Sequence, residues 1–418
     1  MTDKKKLLLL AGAGTHTKVI KAAKEMGLYT IVTDYLVDSP AKQIADESWM
    51  YSITDVDLIV NKCKEVGVSG VLNFCIDPAQ RPYQEICERL GLPCTVTKEQ
   101  LDIMTDKTAF KSYCRSHNVD VIPDYSLEDI ARGNAEYPLF IKPAVSRGSR
   151  SQFICYNKQE AISAIECASR ESSDGKVICE KYMGGKQDIG SAFFVIDGEP
   201  YLVKLGDRIL GREEDHLANQ VMCTRLPSTS SAIIAKNSLP RVKTMIRSLG
   251  IRFGPVFLQG FLDGNVVRYY DPALRMPGGD YDLILKLATG FDTVKSMIHF
   301  AMTGQTDTAF GNPKECYRLK NGTALLFTIS VRPGKMCRVE GMEKLLQHPY
   351  VVYGRQIISA GAVIPDSGDI KQRVAAIGAY IPNSEDVSSF IQEVYDTYHV
   401  YDDSGNDMII SKITASRL

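Results

Sequence analysis

Residues 271–279 read Asp-Pro-Ala-Leu-Arg-Met-Pro-Gly-Gly and combine three groups that phosphoryl chemistry needs. Asp271 follows the strand-like run Val266–Tyr270, and its carboxylate is a hard oxygen ligand for Mg²⁺. Arg275 is a planar, permanently charged cation suited to an oxyanion. The Pro-Gly-Gly turn lets backbone approach a ligand closely. The segment therefore predicts Mg-nucleotide chemistry.

A second candidate group surrounds Lys142, which ends the apolar run Pro138–Ile141. A lysine at a buried strand edge needs an anion to offset its desolvation, and a phosphate meets that need. The loop that follows, Ser146–Ser151, is rich in Ser, Gly and Arg, and its backbone N–H groups could surround phosphates. Together these features favour a nucleotide site. Lys107, taken alone at a helix start, is more typical of a solvated charge.

Gly12-Ala13-Gly14 partly matches a dinucleotide-binding fingerprint, because Asp34 follows Gly14 by twenty residues. The third glycine of that fingerprint would fall at Thr17. NAD binding is therefore the weaker interpretation. A tight turn between strand and helix explains the residues better, with a substrate carboxylate at the helix N-terminus as a further use.

The elements that must position these groups follow from hydrophobic periodicity. Residues 7–96 alternate between strand and helix patterns, which indicates βαβ units on a parallel sheet. A helix over 99–118 then leads into a β-rich stretch that continues to Asp271. The pattern predicts a parallel α/β domain followed by two further segments that mix helices and strands. The expected boundaries are 1–97, 98–308 and 309–418.

Composition narrows the functional class. The chain has 418 residues, 24% charged and 44% hydrophobic, and a net charge of −1, which disfavours nucleic-acid and acidic-membrane partners. Its eleven cysteines are scattered without a Cys-x-x-Cys pair, and its six histidines form no zinc motif. No apolar run approaches the ~20 residues of a membrane span. A cytoplasmic protein with reduced thiols is expected.

The motifs resemble, in order and rough spacing, those of the ATP-grasp superfamily. The chain looks like the branch of the carbamoyl-phosphate synthase large chain and biotin carboxylase, close to its stand-alone carboxylate–amine ligases. The resemblance covers nearly the whole chain and implies that the α/β domain is followed by a two-lobed α+β core and a C-terminal α+β lid. It is carried by Lys107, Lys142, the loop 146–151, Glu180-Lys181-Tyr182-Met183, and Asp271 with Arg275-x-Pro-Gly-Gly.

The resemblance implies a role for each matching position. Lys107 and Lys142 would contact ATP phosphates, and Arg275 would meet the acyl-phosphate or the oxyanion of its breakdown. Asp271 would ligate Mg²⁺ or Mn²⁺. The implied nucleotide contacts are Ser146, Gly148 and Ser149 over the phosphates, Glu180, Lys181, Tyr182 and Met183 at adenine, and Gln187 or Asp188 at the ribose.

Two positions depart from the family pattern. Gln259 stands where the first metal carboxylate is expected, and Ala273 stands where an Asn is expected. A Gln carbonyl can still ligate Mg²⁺, although it brings no charge. These departures keep open an alternative function, a regulatory ATP-binding protein without turnover.

The expected activity is ATP-dependent ligation. A small carboxylate is phosphorylated by ATP, and an amine or similar nucleophile then displaces phosphate. Lysines, Mg²⁺ and a closing glycine loop are the parts that this chemistry needs. The residues identify neither substrate, although the pocket is expected between the first domain, Arg275–Asp282 and Arg208–Arg225. A homodimer is the default expectation.

Overall fold

The fold is known from a computed structural model, and the predicted phosphate-loop contacts Ser146, Gly148 and Ser149 lie outside its described residues. The described residues are 4–144, 151–172, 175–314, 316–382 and 387–418.

The N-terminal part is the predicted parallel α/β unit. Four strands pair in parallel in the order β3-β2-β1-β4. They are β1 (Lys6–Leu10), β2 (Tyr29–Thr33), β3 (Glu47–Trp49) and β4 (Val68–Leu72). The helices between and after them are α1 (Thr17–Glu25), α2 (Val56–Val66) and α3 (Gln80–Leu90). Gly67 and Gly91 end α2 and α3 at positive φ, where a side chain would be strained.

The next part differs from the sequence prediction at one point. The single helix expected over 99–118 is two helices, α4 (Lys98–Thr105) and α5 (Lys107–Ser116). Asp106 between them is extended, and its carboxylate accepts the Ala109 N–H at 2.8 Å, so it caps α5. The break places Lys107 at the first turn of α5.

A small antiparallel sheet follows, with the order β6-β5-β7. Its strands are β5 (Leu139–Pro143), β6 (Phe153–Cys155) and β7 (Val177–Lys181). Two helices belong to this lobe, α6 (Leu127–Arg132) and α7 (Lys158–Glu171). Ile141, Ala161 and Ala164 are among the apolar residues that join sheet and helices in one core.

A nine-stranded sheet forms the centre of the molecule. Its strand order is β12-β11-β8-β9-β10-β13-β18-β16, with β20 beside β13. The strands from here to the C-terminus are β8 (Gln187–Ile196), β9 (Glu199–Leu210), β10 (Val221–Leu226), β11 (Phe253–Asp263), β12 (Val266–Ala273), β13 (Thr323–Val331), β14 (Gly334–Lys335), β15 (Arg338–Glu340), β16 (Val351–Gln356), β17 (Val363–Ile364), β18 (Arg373–Ile381), β19 (His399–Tyr401) and β20 (Ile409–Ile410). Asp271 therefore lies inside β12 and not after it, because pairing with β11 continues to Ala273.

The remaining helices cover this sheet. They are α8 (Ser231–Asn237), α9 (Leu239–Ser248), α10 (Tyr281–Thr289), α11 (Thr293–Thr303), α12 (Met342–Leu346) and α13 (Val387–Thr397). Leu8 and Val71 of the first sheet share a core with Ile189 and Val256 of the large sheet, so the N-terminal part packs directly on the centre. The predicted fold class, a parallel α/β unit followed by α+β parts, is confirmed. Among the described helices, none has the length and apolar character of a membrane span.

Candidate nucleotide and carboxylate site

The candidate residues of the large sheet lie on one face of it. Strands β12, β11, β8 and β9 are neighbours, and directly opposed residues of antiparallel strands share a face. One row across the four strands is Asp271, Gln259, Gly190 and Gly206, and the next row, two residues along, is Ala273, Phe257, Ala192 and Lys204. Side chains two residues apart on a strand also share a face. The metal candidates and Lys204 therefore lie on the same face of the sheet.

The carboxylate of Asp271 is half-buried and makes no hydrogen bond or ion pair within the described residues. Burial raises its pKa, while the positive charges of Lys107, Arg275 and Lys142 oppose the rise. The cations predicted to bind phosphate and oxyanion are thus close enough to act electrostatically on this one carboxylate. Lys107 lies on α5, Arg275 lies in the turn after β12, and Lys142 lies on β5.

Gln259, the second predicted metal ligand, already accepts hydrogen bonds from protein groups, one of them a cation. Its Oε1 accepts from Arg208 Nη1 at 2.7 Å and from the Tyr270 hydroxyl at 3.0 Å. Among the described residues no three His, Cys, Asp or Glu side chains group together as a metal site. Asp271, with its oxygens uncommitted, fits Mg²⁺ in the manner of nucleotide sites, where one carboxylate, phosphate oxygens and water complete the shell.

The two ribose candidates are both engaged by protein groups. Gln187 donates to Thr229 Oγ1 at 2.9 Å and accepts from Ser230 Oγ at 2.9 Å. Asp188 pairs with Arg208 Nη1 at 2.9 Å, and burial nevertheless raises the pKa of Asp188 to about 6. Asp188 is thereby the counter-ion that holds Arg208 against Gln259.

A buried charged triad joins helix α5 to the small antiparallel sheet. Glu180 at the end of β7 receives Lys142 Nζ at 2.8 Å and Lys111 Nζ at 2.6 Å. Burial would raise the pKa of Glu180, but the two ammonium groups, Lys142 foremost, bring it below its usual value. Lys111 was not predicted. Its signal in the sequence is its spacing, because Lys111 shares the buried stripe of α5 with Phe110 and Cys114.

The residues after Glu180 leave β7 toward a turn. Lys181 pairs with Glu136 at 2.9 Å, and the Tyr182 N–H donates to the Pro138 carbonyl at 2.9 Å. Met183 is 5% exposed. The structure therefore brings Lys142 and the segment 180–183 together through the pairing of β5 and β7.

Arg275 is held by the N-terminal unit. Its Nε and Nη2 donate to the two carboxylate oxygens of Asp77 at 2.6 and 2.5 Å, a bidentate pair. The flanking backbone is held as well, because Leu274 N–H donates to Gln80 Oε1 at 2.8 Å and Met276 N–H donates to the Phe74 carbonyl at 3.0 Å. The sequence pattern did not reveal Asp77 or Gln80, since neither belongs to the motif that they position.

The Gly12–Gly14 segment forms the tight turn that was favoured. Asp34 accepts the Gly12 N–H at 2.8 Å and the Leu36 N–H at 2.9 Å, so both its oxygens serve the loop. A Cβ on Gly12 would lie 2.6 Å from Ser39 Cβ, which explains glycine there. Asp34 thus has a structural use that requires no dinucleotide.

Comparison with known proteins shows what part of this chain is similar to. Residues 106–208 match the family described as the carbamoyl-phosphate synthase L chain, ATP binding domain. A curated relative, the formate-dependent phosphoribosylglycinamide formyltransferase of Prochlorococcus marinus, is 26% identical over 185 residues, 43% of this chain and 48% of that protein. The chain thus spans about half the length of this relative.

Solved structures share the fold over nearly the whole chain. An L-amino acid ligase from Bacillus licheniformis has a TM-score of 0.76 at 17% identity, covering 96% of this chain and 100% of the other. The biotin carboxylase domain dimer of Hydrogenobacter thermophilus 2-oxoglutarate carboxylase, in complex with MgADP and bicarbonate, has a TM-score of 0.74 at 19% identity, covering 95% and 91%. The resemblance to the ATP-grasp superfamily, in its carbamoyl-phosphate synthase and biotin carboxylase branch, is confirmed.

Proposed function

We propose that the protein is an ATP- and Mg²⁺-dependent ligase that activates a small carboxylate for attack by an amine or similar nucleophile. The observation that carries this proposal is the uncommitted Asp271 carboxylate with Lys107, Lys142 and Arg275 acting on it. One substrate carboxylate oxygen attacks the γ-phosphorus, and the bond to the β-γ bridging oxygen breaks. ADP leaves and an acyl-phosphate remains. The nucleophile then attacks the acyl carbon, phosphate departs, and the amine proton goes to solvent or to a base.

The charged triad suits Lys142 to contact with phosphate. Its Nζ is 2.8 Å from Glu180 Oε2, while Lys111 engages the other oxygen. When Lys142 turns toward a phosphate, Lys111 still pairs with Glu180, so the buried carboxylate is not left alone. Lys107 is exposed at the start of α5, where a mobile side chain can reach an entering nucleotide.

Asp271 would hold the divalent ion, which when bound neutralises phosphate oxygens and draws off charge in phosphoryl transfer. Arg275 is placed for the acyl-phosphate because Asp77 fixes its guanidinium in one orientation. The turn after β4 carries Asp77 and the turn after β12 carries Arg275, so these two turns together fix the orientation of the Arg275 guanidinium. This arrangement makes docking of the N-terminal unit part of the active site.

We further infer the organisation and partners of the chain. Units 1–97, 98–308 and 309–418 remain the proposed domains, with the third completing the large sheet through β13, β18 and β16. The partners would be a small carboxylate and an amine or other nucleophile. A homodimer is proposed by analogy with the biotin carboxylase domain dimer.

A second candidate function has its own observation. Gln259 gives its Oε1 to Arg208 and Tyr270, and Ala273 has no polar atom in its side chain. A site with one acidic metal ligand would suit a regulatory ATP-binding protein that does not turn over. ATP binding without ADP release, whatever carboxylate is added, would favour this function.

The test is ADP release, screened across amino acids, small carboxylates and bicarbonate. We expect Asp271→Ala to abolish Mg-dependent ADP formation and Lys142→Ala to weaken ATP binding. Asp366→Ala and Lys236→Ala change exposed residues outside the site and are the matched controls. Unchanged turnover in both site variants would defeat the proposal.

A further inference from the structure

Lys204 is a buried cation without a counter-ion among the residues that the structure describes. Its side chain is 5% exposed, and within the described residues its Nζ has no hydrogen bond and no ion pair. It lies 5.9 Å from the ring centre of Phe257 and 5.4 Å from that of Tyr281. A buried ammonium normally has a paired carboxylate, because desolvation of a lone charge is costly. The position is therefore one that an incoming anion would complete.

The neighbouring cations already have their partners. Arg208 is held by Asp188 at 2.9 Å, and Arg275 is held by Asp77 at 2.5 Å. Burial is the main cause that lowers the pKa of Lys204 to about 7, and the positive charges of Arg208 and Arg275 lower it further. Among the described residues, no carboxylate pairs with Lys204 itself. An oxyanion bound there would relieve both the repulsion and the desolvation.

The position of Lys204 indicates which oxyanion it would bind. Lys204 and Arg275 flank the same ring, since the Arg275 Cζ lies 5.8 Å from the centre of Phe257. Lys107 and Lys142 act on Asp271 from the nucleotide side, whereas Arg208 and Arg275 are the charges that act on Lys204. Arg275 is the cation that acts on both Asp271 and Lys204.

We infer that Lys204 binds the carboxylate of the acceptor substrate and, after phosphoryl transfer, oxygens of the acyl-phosphate, with Arg275 as the second cation of this site. The inference rests on the proposed ligase function. It assigns the substrate side to the face of β9 and β11 beside Phe257 and Tyr281, and it requires a substrate whose carboxylate can enter between two aromatic rings.

Inorganic phosphate is the probe, because it presents an oxyanion without needing the unknown substrate. Calorimetry would measure phosphate binding to the ADP complex, and binding of ADP and of a non-hydrolysable ATP analogue, for wild type, Lys204→Met and the exposed control Lys236→Met. We expect Lys204→Met alone to lower phosphate affinity at least about tenfold, as for loss of a charged hydrogen bond, and to leave both nucleotides unaffected. Its melting temperature should rise, which excludes misfolding as the cause.

Three results would overturn the inference. The first is that wild type binds no phosphate, and the second is that wild type and Lys204→Met bind phosphate with equal affinity. The third is that Lys204→Met weakens binding of the ATP analogue as much as binding of phosphate, which would assign Lys204 to the γ-phosphate. Failure of the ligase proposal would give a different result. If that proposal alone were wrong, the wild-type protein would bind no nucleotide, but phosphate would still bind to the free protein and Lys204→Met would weaken that binding.

Discussion

Replacing Lys204 by Met should make the protein more stable, and the gain should depend on pH. Met is close to Lys in length and keeps the apolar contacts with Phe257 and Tyr281, while the buried charge disappears. The pKa of Lys204 in the folded protein is lowered from 10.5 to about 7, mainly by burial. That difference corresponds to about 5 kcal/mol of unfavourable free energy for the charged form.

The sign of the pH dependence follows from the two states. Between about pH 7 and pH 10.5 the unfolded chain binds a proton at Lys204 that the folded protein has released, so wild-type stability rises with pH in this window. Below about pH 7 the folded protein bears the whole cost of the charge. The advantage of Lys204→Met should therefore be greatest at pH 6 and shrink by about 1.4 kcal/mol per pH unit above 7.

Urea unfolding at pH 6, 7.5 and 9 would measure this difference directly. Because side chains and water around a buried lysine rearrange, we expect an advantage of about 2 to 5 kcal/mol at pH 6. Lys236→Met, on the surface, should show a difference near zero at every pH. A less stable Lys204→Met protein at pH 6, or an advantage that does not change with pH, would refute the assignment of Lys204 as a buried, unpaired cation.

Two further predictions concern the groups around the proposed nucleotide. Lys111→Met should lower the free energy of unfolding by about 1 to 3 kcal/mol in urea titrations but leave ATP affinity nearly unchanged. Lys142→Met should lower ATP affinity but leave the free energy of unfolding nearly unchanged, because only Lys142 turns to phosphate. An equal effect of the two variants on ATP affinity would argue against that division. Asp77→Asn should lower kcat about tenfold or more with little change in nucleotide affinity, since Arg275 loses a charged bidentate partner; an unchanged kcat would show that Arg275 needs no such positioning.

Local patterns predicted much of the secondary structure. Strand β2 and helix α2 begin and end as the apolar periodicity indicates, over Tyr29–Thr33 and Val56–Val66. The single helix expected over 99–118 was wrong at Asp106, although Lys107 was expected at a helix start, because the apolar stripe continues on both sides of the break. Asp106 is extended there, and its carboxylate accepts the Ala109 N–H. The continuation of β12 through Asp271 was missed because pairing with β11, and not local sequence, extends the strand.

The site was predictable where one segment carries several functional groups. Asp271 and Arg275 belong to one short motif, and Lys142 ends a recognisable buried strand. The apolar stripe of α5 indicates that Lys111 is buried, but its partner Glu180 lies 69 residues away and no spacing rule identifies that partner. Asp77 acts through Arg275, 198 residues away, and belongs to no motif. In the sequence, Lys204 lies in a strand-like run where a lone lysine is typical of a solvated charge, because alternation along β9 does not say what covers either face. Burial became evident only when Phe257 and Tyr281 were placed beside it.

The central claim is that a substrate carboxylate becomes an acyl-phosphate on the Asp271 face of the large sheet. Once the ADP-release screen has identified a carboxylate, that substrate labelled with oxygen-18 in its carboxyl group gives the most direct test, with the released phosphate analysed by mass spectrometry. Attack of a carboxylate oxygen on the γ-phosphorus predicts one labelled oxygen in each phosphate formed. Unlabelled phosphate at full turnover would contradict the claim.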